Sequence, residues 1–127
     1  MSPTEDAVRQ TVAAYVQAVA HGTAADVVAL YAEGATVEDP VGTEVRTTRE
    51  SILEFYAVVE PLKQTAELLT VKVASNSAAF HFGLTTEFGE NTFALSVIDV
   101  MEFDDEAKIT SMRAYWSEAD LVPVPTS

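Results

Sequence analysis

Apolar and aromatic residues recur at Val8, Val12, Tyr15, Val16 and Val19, the i, i+4, i+7, i+8 spacing of one helical face. Ahead of them, Ser2, Pro3 and Glu5 have the form of a capping box with proline in the first turn, and Gly22 closes the helix. A short second helix is expected after Thr23, with Asp26 three residues on. Val27, Leu30 and Tyr31 share its inner face before Gly34 stops it. Residues Thr36 to Asp39 read as an extended segment that Pro40 ends, because proline forces its predecessor out of the helical region. Thr47 with Glu50 repeats the capping pattern, and Ile52, Phe55, Tyr56 and Val59 make a third amphipathic helix ended at Pro61. From about Thr65 the period falls to two. Strands are predicted near residues 66–75, 78–88, 92–103 and 109–117, separated by the turn-type pairs Asn76-Ser77, Gly89-Glu90 and Asp104-Asp105. Helices first and strands later predict an α+β fold, with three helices packed on one face of a curved, mostly antiparallel sheet.

A chain of 127 residues has room for one core, so residues 1–127 are expected to form one domain. Only Pro123 to Ser127 read as a loose tail. The 20 acidic residues against 7 Lys and Arg give a formal charge of −13, a surface that repels phosphate backbones and anionic lipid headgroups. The basic residues are scattered, so nucleic acid is a poor candidate partner. The absence of cysteine excludes disulfides, thiolate metal sites and cysteine nucleophiles, and two histidines cannot alone build a His-rich metal site. The N-terminal residues lack the basic and apolar regions of a signal peptide, and no apolar run approaches the roughly 18–20 residues needed to cross a bilayer. The expectation is a cytoplasmic protein whose partner is a small molecule or another copy of itself.

Candidate chemistry starts on the third long strand. Alternation puts Phe93, Leu95, Val97, Asp99, Met101 and Phe103 on one face, apolar except for a single carboxyl. Either a bulge turns Asp99 outward or a hidden cation pairs with it, or the carboxyl is held in an apolar cavity. In the last case desolvation raises its pKa and keeps it a neutral hydrogen-bond donor. Asp39 is the second candidate. If Val37 faces the core, so does Asp39, at the rim where its segment ends; the plainer alternative is a turn-starting Asp before Pro. Tyr15, Tyr31 and Tyr56 each fall on an inner helical face, which is compatible with simple packing or with a shared hydroxyl network.

The stretch Ala35 to Gly42 with its Glu-Asp-Pro, then Val97-Ile98-Asp99, then Ser111-Met112-Arg113-Ala114-Tyr115-Trp116, resembles bacterial steroid Δ5-isomerase, or ketosteroid isomerase. The order of helices and strands agrees across nearly the whole chain. The resemblance implies a cone of the nuclear-transport-factor type with a deep apolar pocket, acting as a homodimer without cofactor or metal. It implies that Asp39 is the general base, that Tyr15 is the oxyanion-binding tyrosine and that Asp99 is the protonated acid completing the oxyanion hole. Tyr31 and Tyr56 would be supporting tyrosines, and Phe55, Phe82, Met112 and Trp116 would line the pocket. Departures around Thr43–Thr48 and Glu60–Gln64 bear on substrate preference more than on chemistry.

The implied reaction moves a carbon–carbon double bond of a 3-ketosteroid into conjugation. Two rivals stand beside it. The same cone could carry another enzyme, because one fold hosts many functions. An epoxide hydrolase would want Asp and Arg flanking a pocket water, yet Arg113 alternates away from Met112 and Trp116. A dehydratase would want a histidine by the acid, yet His81 alternates away from Phe80 and Phe82. The other rival is a steroid- or lipid-binding module without catalysis, which needs the pocket but neither acid.

Overall fold

The computed structural model describes residues 2–125. Helix α1 spans Glu5–His21, α2 Ala24–Val28 and α3 Arg49–Val59. The strands are β1 Tyr31–Glu38, β2 Lys63–Ala74, β3 Ser77–Phe88, β4 Asn91–Phe103, β5 Ile109–Tyr115 and β6 Leu121–Pro123. The sheet runs β1-β5-β4-β3-β2, with β6 added alongside β4. All pairings are antiparallel except β1 with β5. Among the described residues, no helix is long and apolar enough to cross a membrane.

Buried Val8, Val12, Tyr15 and Val16 form one stripe on α1, which packs against β2 and β3. Each such valine is worth about 1.5–3 kcal/mol when fully buried. Thr4, not Ser2, caps this helix, its hydroxyl accepting the Ala7 N–H. Thr23 and Asp26 form the expected capping box on α2. For α3 the box is made one residue later than expected, by Thr48 and Ser51.

The second helix is shorter than its sequence pattern predicts. It ends at Val28, and Tyr31 is the first residue of β1 rather than the last of a helix. Gly34 does not stop a helix; its φ of +78° sits in the irregular stretch of β1 where register with β5 shifts between Tyr31 and Thr36. A second shift separates Glu102 from Phe103 opposite β5. It turns Ile109 inward with Met112 and Ala114, where unbroken alternation would point it outward with Arg113. The expected tail is also partly structured. Pro123 pairs with Phe93 and the Val124 N–H donates to the Thr92 carbonyl, whereas Thr126 and Ser127 lie outside the described residues.

Candidate active site

A cavity of about 220 Å³ opens between the helices and the inner face of the sheet. Residues from every layer meet there: Tyr15 from α1, Phe55 and Tyr56 from α3, Phe82 from β3 and Asp99 from β4, with Asp39 and Trp116 just beyond the ends of β1 and β5. Of the residues singled out in the sequence, Asp39, Tyr15, Asp99, Tyr56, Phe55, Phe82 and Trp116 line this space. Tyr31 stands behind it and joins through a hydroxyl. Met112 does not reach it; on β5 opposite Met101 it is wholly buried in the core.

Asp99 keeps the strand alternation, with no bulge at its position. It is 1% exposed, and its Oδ2 has no hydrogen-bond partner among the described residues. Burial pushes its pKa well above the ordinary carboxyl range, and the nearby Asp39 carboxylate adds to the rise. No cation offsets it among the described residues, since Arg113 forms an ion pair with Glu38 at 3.1 Å and is largely exposed.

Asp39 has a different surrounding. The Trp116 indole N–H donates to Asp39 Oδ1 at 2.7 Å. Burial raises the Asp39 pKa, and the indole bond, which favours the charged form, opposes that rise. Neighbouring Glu38 points the other way, accepting the Gly42 N–H and an Arg113 N–H. Those bonds pull its pKa down, the Gly42 N–H most. Alternation thus separates two adjacent carboxyls into one facing a cavity and one facing a surface arginine.

The tyrosines form a chain. Tyr15 and Tyr56 hydroxyl oxygens lie 2.9 Å apart, and those of Tyr56 and Tyr31 2.7 Å apart. Burial, more than any neighbour, lifts all three phenols well above their usual pKa, so each stays a neutral hydroxyl. Such a relay can direct its protons toward Tyr15, each bond polarising the next.

Two polar contacts have no local signature in the sequence. The Trp116–Asp39 bond joins residues 77 positions apart, and nothing local signals it. Gln64, between the predicted end of the third helix at Pro61 and the strand predicted from about residue 66, belongs to β2 and lines the cavity, donating to Thr86 Oγ1 at 2.9 Å.

Residues 12–112 match the sequence profile of the SnoaL-like domain family. A steroid Delta-isomerase of Nocardioides simplex is 45% identical over 118 residues, covering 93% of this chain and 96% of that protein. Among solved structures, the epoxide hydrolase/cyclase-like enzyme SalBIII, described in pyran ring formation in the polyether salinomycin, superposes with a TM-score of 0.84. It is 26% identical, and the alignment covers 94% of this chain and 98% of that one.

Proposed function

The chain belongs to the ketosteroid isomerase family, among the SnoaL-like domains, and on that premise we propose that it converts Δ5-3-ketosteroids to their conjugated Δ4 isomers. The observation that carries this is the Asp99 Oδ2 in the cavity wall, unpartnered among the described residues. A buried polar atom left unpaired costs on the order of 1–3 kcal/mol, and a ligand oxygen placed there would accept its proton.

The ionised Asp39 carboxylate removes a proton from the carbon between ketone and alkene. The electron pair moves through the π system onto the 3-oxygen, giving a dienolate. Tyr15 and protonated Asp99 donate hydrogen bonds to that oxygen from positions fixed beforehand, so little reorganisation is needed. Tyr56 and Tyr31 orient the Tyr15 hydroxyl through their relay. Asp39 then returns the same proton to the far end of the dienolate, and the double bond comes to rest in conjugation. The Trp116 indole N–H favours the charged form of Asp39 before proton removal and after proton return, and so opposes the rise in pKa that burial causes.

The test is the growth of conjugated-enone absorbance from a Δ5-3-ketosteroid. Turnover by the wild type and its loss in Asp39→Asn are expected. Binding without turnover would instead identify a non-catalytic steroid-binding module. The likeness to an epoxide hydrolase/cyclase-like enzyme favours one further rival, epoxide opening. Against it stands Arg113, turned outward to Glu38 rather than into the cavity. Epoxide turnover without enone formation would decide for that rival. The active form is taken to be a cytoplasmic homodimer that meets through the outer sheet face, where cross-strand partners Ile98 and Tyr115 are 47% and 44% exposed. Sedimentation at the mass of one chain would refute the dimer.

A further inference from the structure

We propose that Gln64 is a specificity residue that hydrogen-bonds an oxygen substituent on the ring end of the substrate opposite its reacting ketone. This rests on the isomerase assignment above, which sets that ketone at Tyr15 and Asp99.

The register of the sheet separates the two ends. Asp99 pairs across the strands with Phe80, whereas Gln64 pairs with Thr86, six positions farther along β3. Phe82 and Leu84 face the cavity between them. Gln64 also lies on the edge strand β2, at the opposite side of the sheet from β1, after which Asp39 follows. The wall is therefore polar at the reacting end, apolar along its middle and polar again at Gln64. Gln64 is 6% exposed and Thr86 9%. Two apolar side chains in register would close this edge without desolvating an amide.

Thr86 is not part of the cavity lining. Its hydroxyl accepts one amide proton and so holds the Gln64 head group from behind. Among the described residues this is the one hydrogen bond of the Gln64 side chain. An amide has a second N–H and a carbonyl, enough to pair with either a ketone or a hydroxyl oxygen. A substrate carrying only hydrocarbon there would leave the amide desolvated and unpaired.

The experiment compares two Δ5-3-ketosteroids that differ only in a ketone or a methylene on the five-membered ring. The wild type should favour the ketone by about five- to tenfold in kcat/KM, mainly through KM. In Gln64→Leu, and in Gln64→Leu combined with Thr86→Val, the ratio should collapse toward one. A ratio unchanged in the variants, even with both activities lowered, would overturn the proposal and leave the pair structural. Quenching of Trp116 fluorescence, the single tryptophan of the chain, gives a second readout on the wild type alone. Titrated with the matching conjugated Δ4 pair, it should report tighter binding of the ketone by a similar factor. Ketone preference in binding without enone formation would fell the isomerase assignment and keep the subsite. Enone formation without that preference, or binding of neither steroid, would fell the subsite.

Discussion

Replacing Asp99 with Asn should remove a definite slope from the pH dependence of stability. An unfolded Asp releases its proton near pH 3.9, whereas burial holds the folded Asp99 pKa well above the ordinary value. Between those two values the native state holds one proton that the unfolded chain has lost. Stability therefore falls as pH rises, by 2.303RT for one proton, or about 1.4 kcal/mol per pH unit. The loss begins near the unfolded pKa and levels off above the folded one, so the upper break in the curve reads the folded pKa. Asn cannot ionise, keeps the side-chain volume and retains an N–H donor. Subtracting its urea-denaturation profile from that of the wild type cancels Asp39 and the surface carboxyls, leaving the Asp99 slope. The carboxyl carbon shift of Asp99 by NMR should be that of a neutral acid at about pH 6, and Asp99→Asn should keep more activity than Asp99→Ala. A flat difference profile together with a carboxylate shift would refute the neutral acid and leave Tyr15 the main oxyanion donor.

Asp39→Asn should keep the fold and lose about 10²–10⁴-fold in kcat, the usual contribution of a positioned base, while Glu38→Gln, on the other face, changes little. Near-wild-type turnover on a substrate limited by chemistry would remove Asp39 from the role. Tyr15→Phe should cost more than Tyr31→Phe or Tyr56→Phe, approaching the roughly 2.7–4 kcal/mol of one oxyanion donor; steady-state kinetics with a larger loss at Tyr56 would reverse the assignment. Trp116→Phe removes the N–H that favours charged Asp39, so the acidic limb of the kcat/KM–pH profile should move to higher pH. A limb that stays in place would show that the indole bond does not tune the base.

Period-two alternation was enough to find Asp99, because β4 carries no bulge between Phe93 and Glu102. The same rule set Asp39 inward beside outward Glu38. Alternation failed where register shifts, as at Ile109, since a bulge depends on the partner strand and leaves no mark in its own residues. Val27, Leu30 and Tyr31 fit a helical face, so the pattern predicts a helix through Tyr31. The helix in fact stops at Val28, and the Lys108 ammonium and the Ile109 N–H take up the carbonyls of Ala29 and Leu30. Its hydroxyl still reaches Tyr56, as a shared network requires. The family motif implies a pocket position for Met112, yet the core takes it. Gln64 and the indole bond to Asp39 were illegible for one reason: each depends on a partner brought in by strand pairing from a distant part of the chain.

The parallel pairing of β1 with β5 has a consequence for the time at which activity arises. Because the two strands run the same way, they finish together, and the residues just after them, Asp39 and Trp116, meet at one rim. A chain growing from the ribosome makes Asp39 60 residues before Asp99 and 77 residues before Trp116. β5 must then insert between β1 and β4, strands already made, before any of the three are neighbours. A nascent or truncated chain lacking β5 thus holds an ordinary solvated aspartate instead of a weak version of the site. Catalysis would switch on in one step as β5 enters the sheet, so the onset of turnover during refolding would time that insertion.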